Sequence, residues 1–306
     1  MLSDPHDAAQ RLDVFQKDAL LERYLAQLNL YLQGFGGKGD ENGASFPLIY
    51  VVGLPRSGTT LLSQLISRYL RVGYINNLIA RFWLNPVAGI RLSQAVFGTD
   101  IRERIDLVSR HGVTADPWGP HEFGYFWRYW LQLDGSPTHK LLPELLDRID
   151  RALLRQVLDR MAGAFDAPIV FKNIICGLQA KFLSDLRPDT LFVLIERDPK
   201  AVAVSLLRSR KERYGDDSVW WSLKPSTYAE IRAITSPEDQ IERQIFDGAR
   251  DLHEELAKPG VNSIRLTYEA LCSDPVKCLQ IVANEMTSLG YPMSLLGSPS
   301  PLTPSR

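Results

Sequence analysis

Gly53-Leu54-Pro55-Arg56-Ser57-Gly58-Thr59-Thr60 has the G-x-x-x-x-G spacing of a loop that wraps a phosphate-like anion. Glycines in such a loop let the backbone turn tightly, so consecutive N–H groups point inward, and a following helix adds the positive end of its dipole. Thr59 and Thr60 add hydroxyl donors, and Arg56 is the loop's one cation. Thr59 stands where an ATPase carries Lys after the second glycine, which counts against ATP hydrolysis. Polar and basic residues also follow three later apolar runs: Lys172-Asn173 after Ile169-Val170-Phe171, Glu196-Arg197-Asp198 after Leu191 to Ile195, and Tyr268-Glu269 after Ser263 to Thr267. Open α/β sheets bind ligands beyond the carboxyl ends of their strands, so one ligand could touch all four places.

These residues need a sheet to bring them together. Leu48-Ile49-Tyr50-Val51-Val52 is continuous, β-branched-rich and bounded by Pro47 and Gly53, as a buried strand is. In Thr60 to Leu70 the apolar residues Leu61, Leu62, Leu65, Ile66, Tyr69 and Leu70 recur at helical spacing. Short apolar strands alternating with helices predict an α/β fold, a P-loop-like parallel sheet with helices on both faces. Leu21, Leu25, Leu28 and Leu32 predict an amphipathic helix over about Asp7 to Leu32, which covers its own domain or makes a dimer contact. The domain plan is therefore an N-terminal helical segment over 1–33, a glycine-rich linker over 34–45, one α/β domain over 46–290, and a Pro/Ser-rich tail over 291–306 expected to be disordered.

The 306 residues carry 35 Lys and Arg against 36 Asp and Glu, for a net charge of -1. Without a basic surplus a general nucleic-acid binder is not expected, so any anion site is local. No run approaches the ~18 apolar residues of a membrane span. The first twenty residues carry charges throughout, unlike a secretory signal. Cys176, Cys272 and Cys278 form no C-x-x-C pair, which suggests neither a zinc site nor a disulfide framework and fits a reducing cytoplasm.

Pro55-Arg56-Ser57-Gly58-Thr59-Thr60 after a hydrophobic strand resembles the phosphosulfate-binding loop of PAPS-dependent sulfotransferases. It is most similar to the branch of tyrosylprotein and many bacterial enzymes, which carries Arg where cytosolic sulfotransferases carry Lys. Arg197-Asp198-Pro199, with Ser205 eight residues after the arginine, is similar to that family's site for the 3'-phosphate of PAPS. Local physics agrees, because Asp198 is a good N-cap, Pro199 suits the first helical position, and residues 198, 201 and 205 then share a face. Lys172 sits where that branch resembles a strand-end Lys near the transferred group. The resemblance implies PAPS as sulfuryl donor with no metal, and a small-molecule, carbohydrate or lipid acceptor. It implies donor contacts from Pro55, Arg56, Ser57, Gly58, Thr59, Thr60, Arg197 and Ser205.

The implied reaction is in-line sulfuryl transfer to a hydroxyl or amine, with Arg56, the loop N–H groups and Lys172 stabilising the departing phosphate oxygen. A base must also take the acceptor's proton, and here the chain departs from its relatives. Tyr74-Ile75-Asn76-Asn77 lies where the tyrosylprotein branch has a Glu, and Ile174 lies where cytosolic enzymes have a His. The alternatives are His121 and Glu122, with His111 weaker, in a stretch from Trp118 to Trp130 where seven of thirteen residues are aromatic. Such a stretch is either an acceptor pocket or an aromatic core. Trp220-Trp221 and Lys224 either border the ligand or pack inside, and six Lys and Arg between Arg197 and Arg213 predict a solvated helix face that attracts anions. A P-loop kinase and a noncatalytic PAP- or glycan-binding protein are the competing functions.

Overall fold

The computed structural model describes residues 11–33, 46–110 and 112–303. The 34–45 linker and His111 lie outside the described residues, as do residues 7–10 of the predicted first helix. Five strands, β1 (Leu48–Val52), β2 (Gly73–Tyr74), β3 (Ile169–Lys172), β4 (Thr190–Glu196) and β5 (Asn262–Thr267), form one sheet in the order β2-β3-β1-β4-β5. All four pairings are parallel. Four of these strands coincide with the predicted ones; β2 was not expected, since two residues are too short to show a pattern.

The alternation of a strand explains how one sheet carries two cores. Leu48, Tyr50 and Val52 face one side with the helices Gly124–Trp130, Arg151–Phe165 and Ala180–Leu186. Ile49 and Val51 face the other side, with the helices Thr59–Tyr69 and Pro275–Ser288. On the first side the Tyr50 ring stacks on Phe171 at 5.4 Å and on Phe192 at 5.1 Å, and Trp127 meets it edge-on. Phe123, Phe126 and Trp127 are fully buried there, so the centre of the aromatic stretch is core rather than pocket. β5 is an edge strand, and its residues alternate in exposure instead of forming a continuous buried run.

Two expectations about the chain ends change. The first helix runs over Ala19–Leu32, starting where Asp18 accepts hydrogen bonds from the N–H groups of Leu20 and Leu21. It docks through Leu25, Ala26 and Asn29 and leaves Leu21 and Leu28 exposed. A polar residue decides that rotation: buried Asn29 donates to the carbonyls of Leu25 and Arg81 and accepts from the Leu84 N–H. Residues 291–303, expected to be disordered, instead lie against the second core. Tyr291, Met293, Leu295 and Leu302 pack there, and the N–H groups of Leu296 and Leu302 donate to the carbonyls of Tyr69 and Cys272. Spaced single apolar anchors hold this segment, which no helical or strand period reveals. No described helix is long and apolar enough to cross a membrane.

Candidate functional site

β1 ends at Val52, and the loop turns at once toward the helix Thr59–Tyr69. Gly53 is required by close approach, since a Cβ there would lie 2.5 Å from the Ile195 carbonyl oxygen. Gly58 is required twice over: its φ is +103°, and a Cβ would lie 2.5 Å from the Tyr268 ring. Arg56 itself adopts a left-handed φ of 69°, an uncommon conformation for a long side chain. Ser57 is spent on the loop, donating from both its N–H and its hydroxyl to the Leu54 carbonyl. No side chain caps the helix, so its first N–H groups remain available to an anion.

The two separated arginine motifs meet. Arg56 Nε donates to Ser205 Oγ over 2.9 Å, and Arg197 Nη1 donates to the Arg56 carbonyl over 3.3 Å. Asp198 caps the helix Pro199–Tyr214 by accepting from the Lys200 N–H, which points Ser205 toward the loop. The Arg197 guanidinium lies 4.4 Å from the centre of the Tyr268 ring, the same ring that abuts Gly58. Tyr268 thus buttresses both halves of the site. Burial, and next the neighbouring Arg197, lowers the Arg56 pKa from its usual value. Two partly buried guanidinium groups that repel each other form a site that an anion relieves.

Lys172 comes from the end of β3, 4% exposed. It ion-pairs with Glu122 and donates to the Gly112 carbonyl over 3.2 Å; Thr60 Oγ1 donates to the same carbonyl over 3.3 Å. Glu122 arrives by backbone pairing, since Asn76 and Pro120 form a bridge, the His121 N–H donates to the Ile75 carbonyl, and Asn173 Nδ2 donates to the Glu122 carbonyl. Its own side chain is half-exposed, beside Lys172. Asn76 and Asn77 are braces: Asn76 donates to Ser93 Oγ and accepts from the Ile79 N–H, and Asn77 donates to the carbonyls of Thr114 and Asp116.

His121 is placed differently from its neighbour. Its Nδ1 accepts from the Phe123 N–H over 2.8 Å, and burial lowers its pKa from 6.5 to about 4, Lys172 adding to the shift. The imidazole is therefore neutral at pH 7. Because the folded value lies below the unfolded one, protonation favours unfolding. The stability contributed is whole above pH 6.5 and is lost as pH falls toward 4, by up to about 3 kcal/mol. Urea denaturation across that range should show the loss, and His121→Asn, which keeps an acceptor but does not titrate, should flatten it.

The structure thus brings Arg56, Thr60, Lys172, Glu122, Arg197 and Ser205 together beyond the carboxyl ends of the central strands, and turns His121 Nδ1 back to the Phe123 N–H. Trp220 is buried against Tyr228, as the core alternative required. Arg210 departs from the predicted solvated face: it is fully buried, bonded to Gln240 and Gln244, with burial lowering its pKa to about 10. Gly112 is the site residue that sequence reasoning missed. Its φ of +80° and the 3.3 Å that would separate a Cβ from Thr60 Oγ1 both call for glycine, and the one available signal was a glycine in an otherwise polar stretch.

No curated protein matches the sequence. Among solved structures, the sulfotransferase STF9 from Mycobacterium avium matches with a TM-score of 0.52 at 14% identity, covering 87% of this chain and 68% of that one. The sulfotransferase STF1 from Mycobacterium tuberculosis H37Rv matches at 0.47 and 16% identity, covering 89% and 73%. The first of these likenesses extends to the parallel sheet and its flanking helices. The sequence model of the sulfotransferase family covers residues 47–286, from the residue before β1 to within the last turn of the helix Pro275–Ser288. On that match the chain belongs to the sulfotransferase family.

Proposed function

We infer that the protein transfers a sulfuryl group from PAPS to a hydroxyl or amine acceptor. The observation that carries this reading is the junction of Arg56, Ser205 and Arg197 within hydrogen-bond reach of one another. PAPS presents two anionic ends, a 5'-phosphosulfate and a 3'-phosphate, and this junction offers a cation to each. Arg56, Thr59, Thr60 and the uncapped helix N–H groups hold the phosphosulfate; Arg197 and Ser205 hold the 3'-phosphate.

In the transfer, the bond from sulfur to the bridging phosphate oxygen breaks as the bond from the acceptor oxygen or nitrogen to sulfur forms. Arg56 and Lys172 stabilise the charge that builds on the departing phosphate oxygen. Glu122 accepts the acceptor's proton, a role open to it because it is half-exposed while His121 has Nδ1 engaged. A donor oxygen that draws on Lys172 frees Glu122 for that task. A sulfuryl group carries less negative charge than a phosphoryl group, so two cations and the loop suffice without Mg²⁺.

The test is thermal denaturation in EDTA with PAP, the desulfated product. At a hundredfold excess over its Kd, PAP should add about 2.7 kcal/mol and raise the melting temperature by several degrees. Stabilisation by ATP only in the presence of Mg²⁺, with none from PAP, would overturn the reading in favour of a kinase. Binding of PAP with no labelled-sulfate transfer to any hydroxyl compound would leave a noncatalytic binder.

A further inference from the structure

Residues 11–17 form a strap between the helix Pro199–Tyr214 and the helix Gly124–Trp130. The Leu12 N–H donates to the Arg213 carbonyl over 2.9 Å, and Lys17 Nζ donates to the Tyr125 hydroxyl over 2.6 Å. Between these anchors stands Phe15. The Arg213 guanidinium lies 5.2 Å from the centre of the Phe15 ring and 4.8 Å from that of Trp221, and the Arg110 guanidinium lies 5.7 Å from the same Phe15 ring. Among the described residues neither guanidinium is held by a carboxylate or a hydrogen bond, and Arg213 Nε is buried with no partner. Burial first, then Arg11, lowers the Arg213 pKa from its usual value; Arg56 pushes the same way and Glu122 opposes it.

That arrangement belongs to the transfer centre. Arg213 lies about two turns beyond Ser205 on the same helix, Ser205 accepting from Arg56, and Arg110 precedes by two residues the Gly112 whose carbonyl accepts from Lys172 and Thr60. The donor's two anionic ends are already matched to Arg56 and Arg197, so these further cations face the other reactant. A guanidinium stacked on rings keeps its donors in the plane of the group, where they suit a bidentate oxyanion. A partly desolvated cation that no carboxylate touches is costly unless a ligand brings one into contact.

We propose that the acceptor is itself an anion, a hydroxyl compound bearing a carboxylate, phosphate or sulfate group, which Arg213, backed by the buried Trp221, grips with Arg110 while the partly exposed Phe15 packs on its carbon skeleton. The proposal rests on the sulfuryl-transfer reading for the word acceptor, but the anion site rests on its own residues. It assigns the strap a share in substrate choice, because Phe15 is the surface that both guanidinium groups share.

The experiment is calorimetric titration of PAP-saturated protein with two matched pairs of probes, methyl glucuronide against methyl glucoside and 4-hydroxyphenylacetate against tyrosol. In at least one pair the anionic member should bind about tenfold or more tightly than its neutral partner. Arg213→Ala should erase that advantage, and Arg213→Lys should recover part of it. Should Arg213→Ala fail to fold, Arg110→Ala, at an exposed position, should still reduce the advantage severalfold. An advantage of less than twofold in both pairs, or one that survives both alanine variants, overturns the proposal. If PAP does not raise the wild-type melting temperature while the anionic advantage persists and depends on Arg213, the donor assignment falls and the anion site stands.

Discussion

Arg56→Ala is expected to lower sulfuryl transfer by about 10²- to 10³-fold, the usual effect of removing one donor aimed at developing negative charge. In the same variant the PAP-dependent rise in melting temperature should disappear. Both effects follow from the position of Arg56 at the centre of the site, with Nε on Ser205 and its carbonyl accepting from Arg197. Removing the side chain takes away the cation between the two anion positions and frees Ser205. Arg56→Lys should recover little, because an ammonium cannot bond Ser205 sideways while pointing a second donor at the phosphosulfate. Rapid-quench assays with labelled PAPS would measure the loss. A decrease below about tenfold would place the charge-stabilising role elsewhere.

The second large effect is expected at Glu122. Glu122→Gln keeps the shape of the side chain but cannot accept a proton, so transfer should fall by about 10²- to 10⁴-fold. PAP should still stabilise the variant, because Glu122 is not among the proposed donor contacts. This split separates a base from a residue that merely holds Lys172, for which a hydrogen-bonding amide would substitute. Lys172 retains its bond to the Gly112 carbonyl in either case. Activity within threefold of wild type would remove Glu122 as the base.

Much of this site was legible from local chemistry. The loop from Gly53 to Thr60 announces itself because glycine spacing, strand and helix all fall within one short stretch. Arg197 and Ser205 are legible because a cap and a proline fix where their helix starts, and a helix fixes which residues share a face. Glu122 was visible as a candidate, but its separation from His121 was not. That separation depends on residues 120 and 121 pairing beside Ile75 and Asn76, a contact between distant segments next to a two-residue strand. The docking face of the first helix was hidden for a related reason. Its leucine stripe indicated one rotation, and the three hydrogen bonds of Asn29 impose another. Arg213 read as one charge in a basic run until folding placed Phe15 and Trp221 beside it.

The central position of β1 has a consequence for synthesis. β1 pairs with β3 on one side and β4 on the other, and both are encoded more than a hundred residues downstream. At the pace of translation, that delay is on the order of ten seconds. For that interval Leu48-Ile49-Tyr50-Val51-Val52 leaves the ribosome as an apolar stretch with both rows of its backbone polar groups open. A nascent chain stalled before residue 169 would therefore be a target for chaperones, and release from them would coincide with emergence of the strand that carries Lys172.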